Sequence, residues 1–407
     1  MTGMNVLLIA AGDSDQVEPF LALARALGEA GHDATVAAPS RFAAVADDIG
    51  VVFAGLDDSA FTLREELGRA GVGGTRSPYL TEPDLQRWLD GLAALTDIDA
   101  DVVVFTRDAV GASSIADRLG VPAIPAQVVP TAPATAAFTA LNAPQWTPRV
   151  LHRWTWCYGD AAPHPWRSAL ARWRIKRLGL RAEGTPFSVL AAERGVLSAW
   201  SRHLLPAPPD WPPSAAPLGF WTLPVGSGLT LPADVVGYLS AGDRPVLIVL
   251  DDLRRPDATR VARAIAQSLR AKHQRGVLVA GRSGLACGPV TDCLSVVDRT
   301  HLSAVMPRVS AVLHRGGIDV IAAALIAGVP QLVHPATDAQ RFWAERLALL
   351  GVAPEPLDRL VPRRLADAVR RSIACGPAAE HLRGVLRDED GVGACIARLE
   401  QAHMATR

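Results

Sequence analysis

The feature that most limits what this chain can fold into is an alternation of short, unbroken apolar runs with amphipathic stretches. The first run, 5-NVLLIA-10, is followed by Val17, Phe20, Leu21, Leu23, Ala24 and Leu27 at helical spacing, and Gly31-His32 stops that pattern. Further runs are 34-ATVAA-38, 51-VVFAG-55, 102-VVVF-105 and 121-VPAIP-125, with helical segments such as 111-GASSIADRLG-120 between them. Runs that stay apolar, rather than alternating apolar with polar, belong to strands covered on both faces. Such strands separated by helices predict a doubly wound parallel sheet.

The alternation lapses and then restarts with 245-PVLIVL-250, 276-GVLVAG-281, 295-SVVD-298, 311-VLH-313 and 331-QLVH-334. In between, 206-PAPPDWPPSAAP-217 and 222-TLPVGSGLTLP-232 are rich in Pro, Gly and Ser, as linkers are. The expected organisation is an α/β chain of two Rossmann-like domains without a short-period repeat. Residues 1–222 form the first, 223–242 a linker and 243–381 the second, and a helical segment over 382–407 braces the two. Ligands of open α/β sheets sit beyond the carboxyl ends of the strands, so two such sheets facing each other would frame an interdomain cleft.

Composition removes several function classes. The 407 residues carry a formal net charge of zero, which predicts no nucleic-acid partner. The five cysteines (Cys157, Cys287, Cys293, Cys375, Cys395) are scattered and lack metal-ligand spacing, as in a reduced, cytoplasmic protein that holds no metal. The first apolar run is too short and too soon followed by Asp13 and Asp15 for a signal peptide, and no run is long enough to span a membrane. Eight of the ten tryptophans (Trp146, Trp154, Trp156, Trp166, Trp173, Trp200, Trp211 and Trp221) fall between 140 and 222. Core packing accounts for most of them, and some, with Trp146, Trp154 and Trp156 as candidates, would wall a pocket for an apolar metabolite. Asp108 follows the strand at 102–105, at a carboxyl end, where capping and chemistry are equally good readings.

The segment 311-VLHRGGIDVIAAALIAGVP-329 reads as strand, glycine turn and helix, a shape that holds phosphate on helix-start amides. Asp319 is the wrong charge for that purpose, although an aspartate at a helix start also serves as an N-cap. Together with 17-VEPFLALARALGEAGHDATVAAP-39, 127-QVVPTAPATAAF-138, 199-AWSRHLLPAPPDW-211, 321-IAAALIAGVPQLVHP-335 and 342-FWAERLALLGV-352, this segment carries a resemblance that runs nearly end to end. The chain resembles the GT-B glycosyltransferases of family 1, nearest their bacterial natural-product and sterol-glucosyltransferase-like branch. The resemblance implies an N-terminal acceptor domain and a C-terminal domain for a sugar nucleotide such as a UDP- or TDP-sugar.

Four motifs depart from the family pattern. After the first strand, 12-GDSDQVEP-19 puts Gln16 where the family has an Asp or His as general base, and an amide has no useful proton affinity. Asp13 and Asp15 stand beside it. In the C-terminal half, Asp251 and Asp252 replace a glycine and a hydroxyl that approach the diphosphate, which two carboxylates would repel. In the third motif His314, Arg315, Gly316 and Gly317 fill their places, but Asp319 replaces a glycine and Val320 a threonine. In the fourth, Gln340 survives as a sugar contact, while Ala339 replaces the acid and Asp338 appears one place early.

Three readings follow. In the leading one the donor site is lost, no cofactor is needed, and crowded carboxylates (Asp13, Asp15, Asp319, Asp338) perform acid/base cyclisation, dehydration or rearrangement on an apolar metabolite. In the alternative the chain is an inverting glycosyltransferase whose NDP-sugar is held by His314, Arg315, Arg282 and Gln340, with Asp13 or Asp15 as base. In the third it is a non-catalytic partner of another pathway enzyme. A homo-oligomer fits any of these.

Overall fold

The computed structural model describes residues 3–58, 82–141, 143–144, 146–161, 167–223, 231, 233–250, 253, 257–281, 283–297 and 302–406. The chain forms two compact units, one of Met1–Thr222 with Asp390–Arg407 and one of Leu223–Glu389. Asp251, Asp252, Arg282 and Trp166 lie outside the described residues.

In the first unit six strands run in parallel: β1 (Asn5–Ile9), β2 (Asp33–Pro39), β3 (Val52–Leu56), β4 (Val102–Thr106), β5 (Ala123–Gln127) and β6 (Leu197–Ser198). Their order is β3-β2-β1-β4-β5-β6, so the winding reverses between β1 and β4. Helix α1 (Ser14–Glu29) buries the six apolar positions expected of it. Leu85, Trp88, Leu89 and Leu92 recur at helical spacing on α2 (Glu82–Ala94). They pack with Leu7, Ile9, Val103 and Phe105 of the sheet, with Ile115 of α3 (Ala112–Leu119), and with the neighbourhood of Trp173 on a later helix, into one apolar core. Two more helices of this unit matter below, α4 (His152–Ala161) and α5 (Arg167–Leu178).

Trp156, Trp173, Trp200, Trp211 and Trp221 are buried, with Trp200 and Trp211 in ring contact and Trp221 edge-on to Phe20. The proline-rich stretch 206–217 packs on this unit as well: Trp211 is buried, and Pro217 bridges Ser198 of β6.

The second unit has the order β12-β11-β7-β8-β10-β9. Its strands are β7 (Val246–Val249), β8 (Gly276–Val279), β9 (Gly288–Thr291), β10 (Leu294–Val297), β11 (Ala311–His314) and β12 (Gln331–Val333), all parallel except the β9–β10 pair. Successive residues of β7 enter different cores. Val246 and Ile248 pack under α6 (Asp257–Arg270), while Leu247 and Val249 pack with Val320 and Ala324 of α7 (Ile318–Ala327). A strand flanked by apolar layers on both sides has no polar face to show, which is why 245-PVLIVL-250 reads as a continuous run. Three more helices follow in this unit: α8 (Asp338–Leu349), α9 (Pro362–Ala374) and α10 (Gly376–Leu386).

The helical segment predicted from 382 onward is broken. Helix α10 ends at Leu386 in the second unit, and α11 (Gly391–Thr406) lies against α1 in the first, where Glu400 reaches the buried His32 at 3.4 Å. The interruption spans residues 387–390, and Gly391, the first residue of α11, lets that helix start where a Cβ would stand 2.4 Å from backbone atoms of Gly219 and Phe220.

Candidate functional site

In each unit the candidate residues collect where the winding reverses, the place at which open α/β sheets bind ligands. In the first unit these are the β1–α1 turn and the neighbouring end of β4. Gly12 has φ +127, and the Gln16 side chain folds back over it, with Cγ only 2.7 Å from where a Cβ would stand. Gln16, at the position where the family has its base, thus lies across the turn. Asp13 is the N-cap of α1, but its side chain makes no capping bond. Its Oδ1 instead accepts from Arg41 Nη2 at 2.9 Å, and the same nitrogen donates to Gly12 O at 2.7 Å. Asp15 is half-buried in the first turn of α1 and Asp108 is exposed past β4. The amide of Ala11 donates to Thr106 Oγ1 at 3.2 Å, tying the β1 and β4 ends together.

Arg41 is a site residue that sequence reasoning misses. It stands 28 positions from Asp13, and parallel pairing of β1 with β2 brings it there. Its Nη1 is buried without a hydrogen-bond partner, and its backbone N–H donates to Asp58 Oδ2 at 2.9 Å. Burial pushes the Asp58 carboxyl up, against the pull of the Arg41 charge.

In the second unit the reversal lies between β7 and β11, and α7 starts from it. Gly316 has φ +106, and any Cβ there would come within 2.9 Å of the Gln340 carbonyl, so this glycine lets the start of α7 pack on the start of α8. Gly317, not Asp319, is the N-cap of α7, and Asp319 is the second residue of the first turn. The N-cap alternative for Asp319 is therefore corrected, while a first-turn acid still complements the helix dipole. Arg315 Nη1 donates to His334 O at 3.2 Å. On α8, Thr337 and Gln340 form a capping box, with Gln340 Oε1 accepting from the amides of Ala336 and Thr337 at 2.8 and 3.2 Å. The Gln340 carbonyl is thereby occupied, and its amide NH2 is the part suited to donate to a ligand. Asp338 is exposed in the same turn.

His314 ends β11 fully buried, and its Nδ1 accepts from the Gly316 amide at 3.1 Å. The ring proton is then on Nε2, which is buried without a partner. Desolvation pushes the imidazole down to about 4, and the neighbouring Gln331, whose side-chain atoms fall outside hydrogen-bonding geometry, offsets only part of that. Among the described residues no three His, Cys, Asp or Glu side chains converge as metal ligands would.

The chain is similar along nearly its whole length to glycosyltransferases. It is 30% identical over 393 residues to glycosyltransferase GtfC of Amycolatopsis orientalis, covering 93% of this chain and 91% of that protein. The chain belongs to the GT-B glycosyltransferases of family 1. It is also 27% identical over 425 residues to sterol 3-beta-glucosyltransferase UGT80A2 of Arabidopsis thaliana, covering 97% of this chain but only 64% of that longer protein. Among solved structures, the spinosyn forosaminyltransferase SpnP shares the fold with a TM-score of 0.68 at 18% identity, covering 99% of this chain and 100% of that one. No family model matches the chain.

In this family 1 chain, burial of His314 has a consequence for stability. The unfolded chain binds a proton near pH 6.5, whereas the folded protein resists it down to about 4. The unfolded state therefore carries more protons in that window, so stability falls as pH drops from 6.5 toward 4 and this slope vanishes above it. His314→Gln is expected to flatten the urea-unfolding stability of the second unit between pH 7 and 4 by on the order of 3 kcal/mol. Identical pH slopes for the two proteins would rule this out.

Proposed function

We propose that this protein transfers a sugar from a nucleoside diphosphate sugar to a hydroxyl of an apolar natural product, with inversion at the anomeric carbon. The observation that carries the reading is the start of α7. Its N-cap is Gly317, a residue with no side chain to occupy the helix-start amides, and it follows directly on the glycine turn that ends β11. Helix-start amides at a glycine turn make a donor set for phosphate oxygens. GtfC and UGT80A2, by their names, are glycosyltransferases, and these relatives support transfer better than they support the leading acid/base reading.

In the proposed reaction the acceptor O–H loses its proton to a carboxylate on the β1–α1 turn as its oxygen attacks the anomeric carbon. The bond from that carbon to the β-phosphate oxygen breaks, and the nucleoside diphosphate leaves with the bonding pair. Gln16 cannot take the proton, and Arg41 holds Asp13 by a salt bridge. Of the two carboxylates on this turn Asp15 is the half-buried one, and it is the base of choice in this proposal. The scattered cysteines, without disulfide or metal-ligand spacing, support the cytoplasm as the place of this work.

Calorimetric titration with UDP, TDP and GDP tests the reading. At least one is expected to bind with a Kd below about 1 mM. Failure of all three, with turnover of an apolar metabolite in the absence of any sugar nucleotide, would restore the acid/base reading.

A further inference from the structure

The helical run from Arg149 through α4 faces the wrong way for a surface helix. Over the described side chains His152 and Thr155 point inward: His152 bridges the carbonyls of Ala136 and Thr147 at 3.2 and 3.1 Å, and Thr155 Oγ1 accepts from the Ala140 amide at 2.8 Å. Trp156 is buried on the same side, and its Nε1 donates to Phe138 O. The outward side is apolar, with Val150 84% and Trp154 73% exposed four residues apart, Leu151 next to them, and Trp146 83% exposed just before the run. Arg149 and Arg153, also exposed, interrupt this apolar face. The inward bonds fix the run in place, so the apolar face is presented rather than shed.

Charge indicates what would cover it. Residues 146–154 carry Arg149 and Arg153 and no acid, in a chain whose formal charge is zero. Arg174 is paired internally with Asp117, and Arg153 feels Asp210, whose carboxylate accepts from Thr135 and Ala136. A second copy docked by the same face would set this positive stretch against itself. A surface that takes tryptophan and branched aliphatics at its boundary, and arginine at anionic groups just above, matches both halves of the pattern.

We propose that the outer face of residues 146–154 docks on an anionic lipid surface, with Trp146, Val150, Leu151 and Trp154 entering the headgroup boundary and Arg149 and Arg153 meeting lipid phosphates. The docking is peripheral, since no described helix is long and apolar enough to cross a membrane. It stands independently of the transfer reaction.

Vesicle flotation of the full chain tests this, comparing phosphatidylcholine vesicles with vesicles of equal parts phosphatidylcholine and phosphatidylglycerol. The protein is expected to float with the anionic vesicles, to stay below with the neutral ones, and to be released as salt rises. Arg149→Gln is expected to reduce partitioning about fivefold. Val150→Ser with Trp154→Ser is expected to reduce it by about tenfold or more. Thermal unfolding establishes that the variants fold, and if the double variant does not, Arg149→Gln decides alone. Absence of the protein from the anionic vesicles, or partitioning that neither variant alters, would overturn the proposal. So would a dimer in sedimentation velocity that the double variant dissociates, which would assign the face to a second copy.

Discussion

Asp15→Asn is expected to lower kcat for sugar transfer by about 10²–10⁴-fold, the usual contribution of a positioned general base. The KM for the sugar nucleotide should hardly move, because Asp15 belongs to the unit opposite in sequence to the His314 turn. Asp13→Asn should cost far less. Its carboxylate accepts from Arg41 at 2.9 Å, and what its loss removes is a tie between the β1–α1 turn and the end of β2. A second variant sharpens the test: Gln16→Asp placed on Asp15→Asn puts a carboxylate one residue on, lying over Gly12, and should recover part of the lost rate. Steady-state kinetics with the sugar nucleotide that binds in calorimetry provides the readout. A larger loss in Asp13→Asn than in Asp15→Asn would move the base to the Arg41-paired carboxylate. Full activity in both would end the role of this turn in proton transfer.

Trp88→Ala is expected to destabilise the first unit by about 3–5 kcal/mol, the range for removing a large aromatic from a packed core. Trp88 is 1% exposed and sits among Leu89, Leu92, Phe105 and Ile115. Its Nε1 donates to Val110 O at 2.9 Å, so truncation leaves a cavity and also removes the donor to that carbonyl. In a unit of this size each kcal/mol lowers Tm by about 2–4 °C, which predicts a fall of roughly 6–20 °C in the transition of that unit. Because the chain has two units, differential scanning calorimetry should show one transition moving and the other staying. A common shift of both, or no shift, would contradict the assignment of Trp88 to a core of the first unit alone.

The strands were legible because they are covered on both sides, so that apolar character is continuous and needs no register to be noticed. Two escaped for the opposite reason. Strand β6 has only two residues, and β9, Gly288–Thr291, exposes Pro289 and Val290 and carries no apolar run. The C-terminal helical segment reads as continuous because 382–403 keeps helical composition throughout, and the structure interrupts it only over 387–390, between α10 and α11.

The candidate site divides in the same way. The glycine turn at Gly316-Gly317 announces itself, since few local structures other than a strand-to-helix turn use that pattern. Arg41 and Gln331 do not, because each reaches its neighbours through parallel strand pairing, and no spacing in the sequence encodes which strands will pair. The capping box was there to be found: 337-TDAQ-340 has the required spacing, and it shows that Gln340 serves the helix before it serves a ligand.

The return of α11 to the first unit means that this unit is written in two instalments. Its sheet is complete by Thr222, but the helix that covers α1 and meets His32 is translated only after everything from Leu223 to Glu389. At ordinary ribosomal speeds those roughly 170 residues take about ten to thirty seconds to make. For that interval the nascent chain shows an uncovered flank of α1 to whatever else is in the cell. A protein divided this way depends on α11 arriving intact, and its first unit is most exposed to chaperones and proteases just before that helix is made.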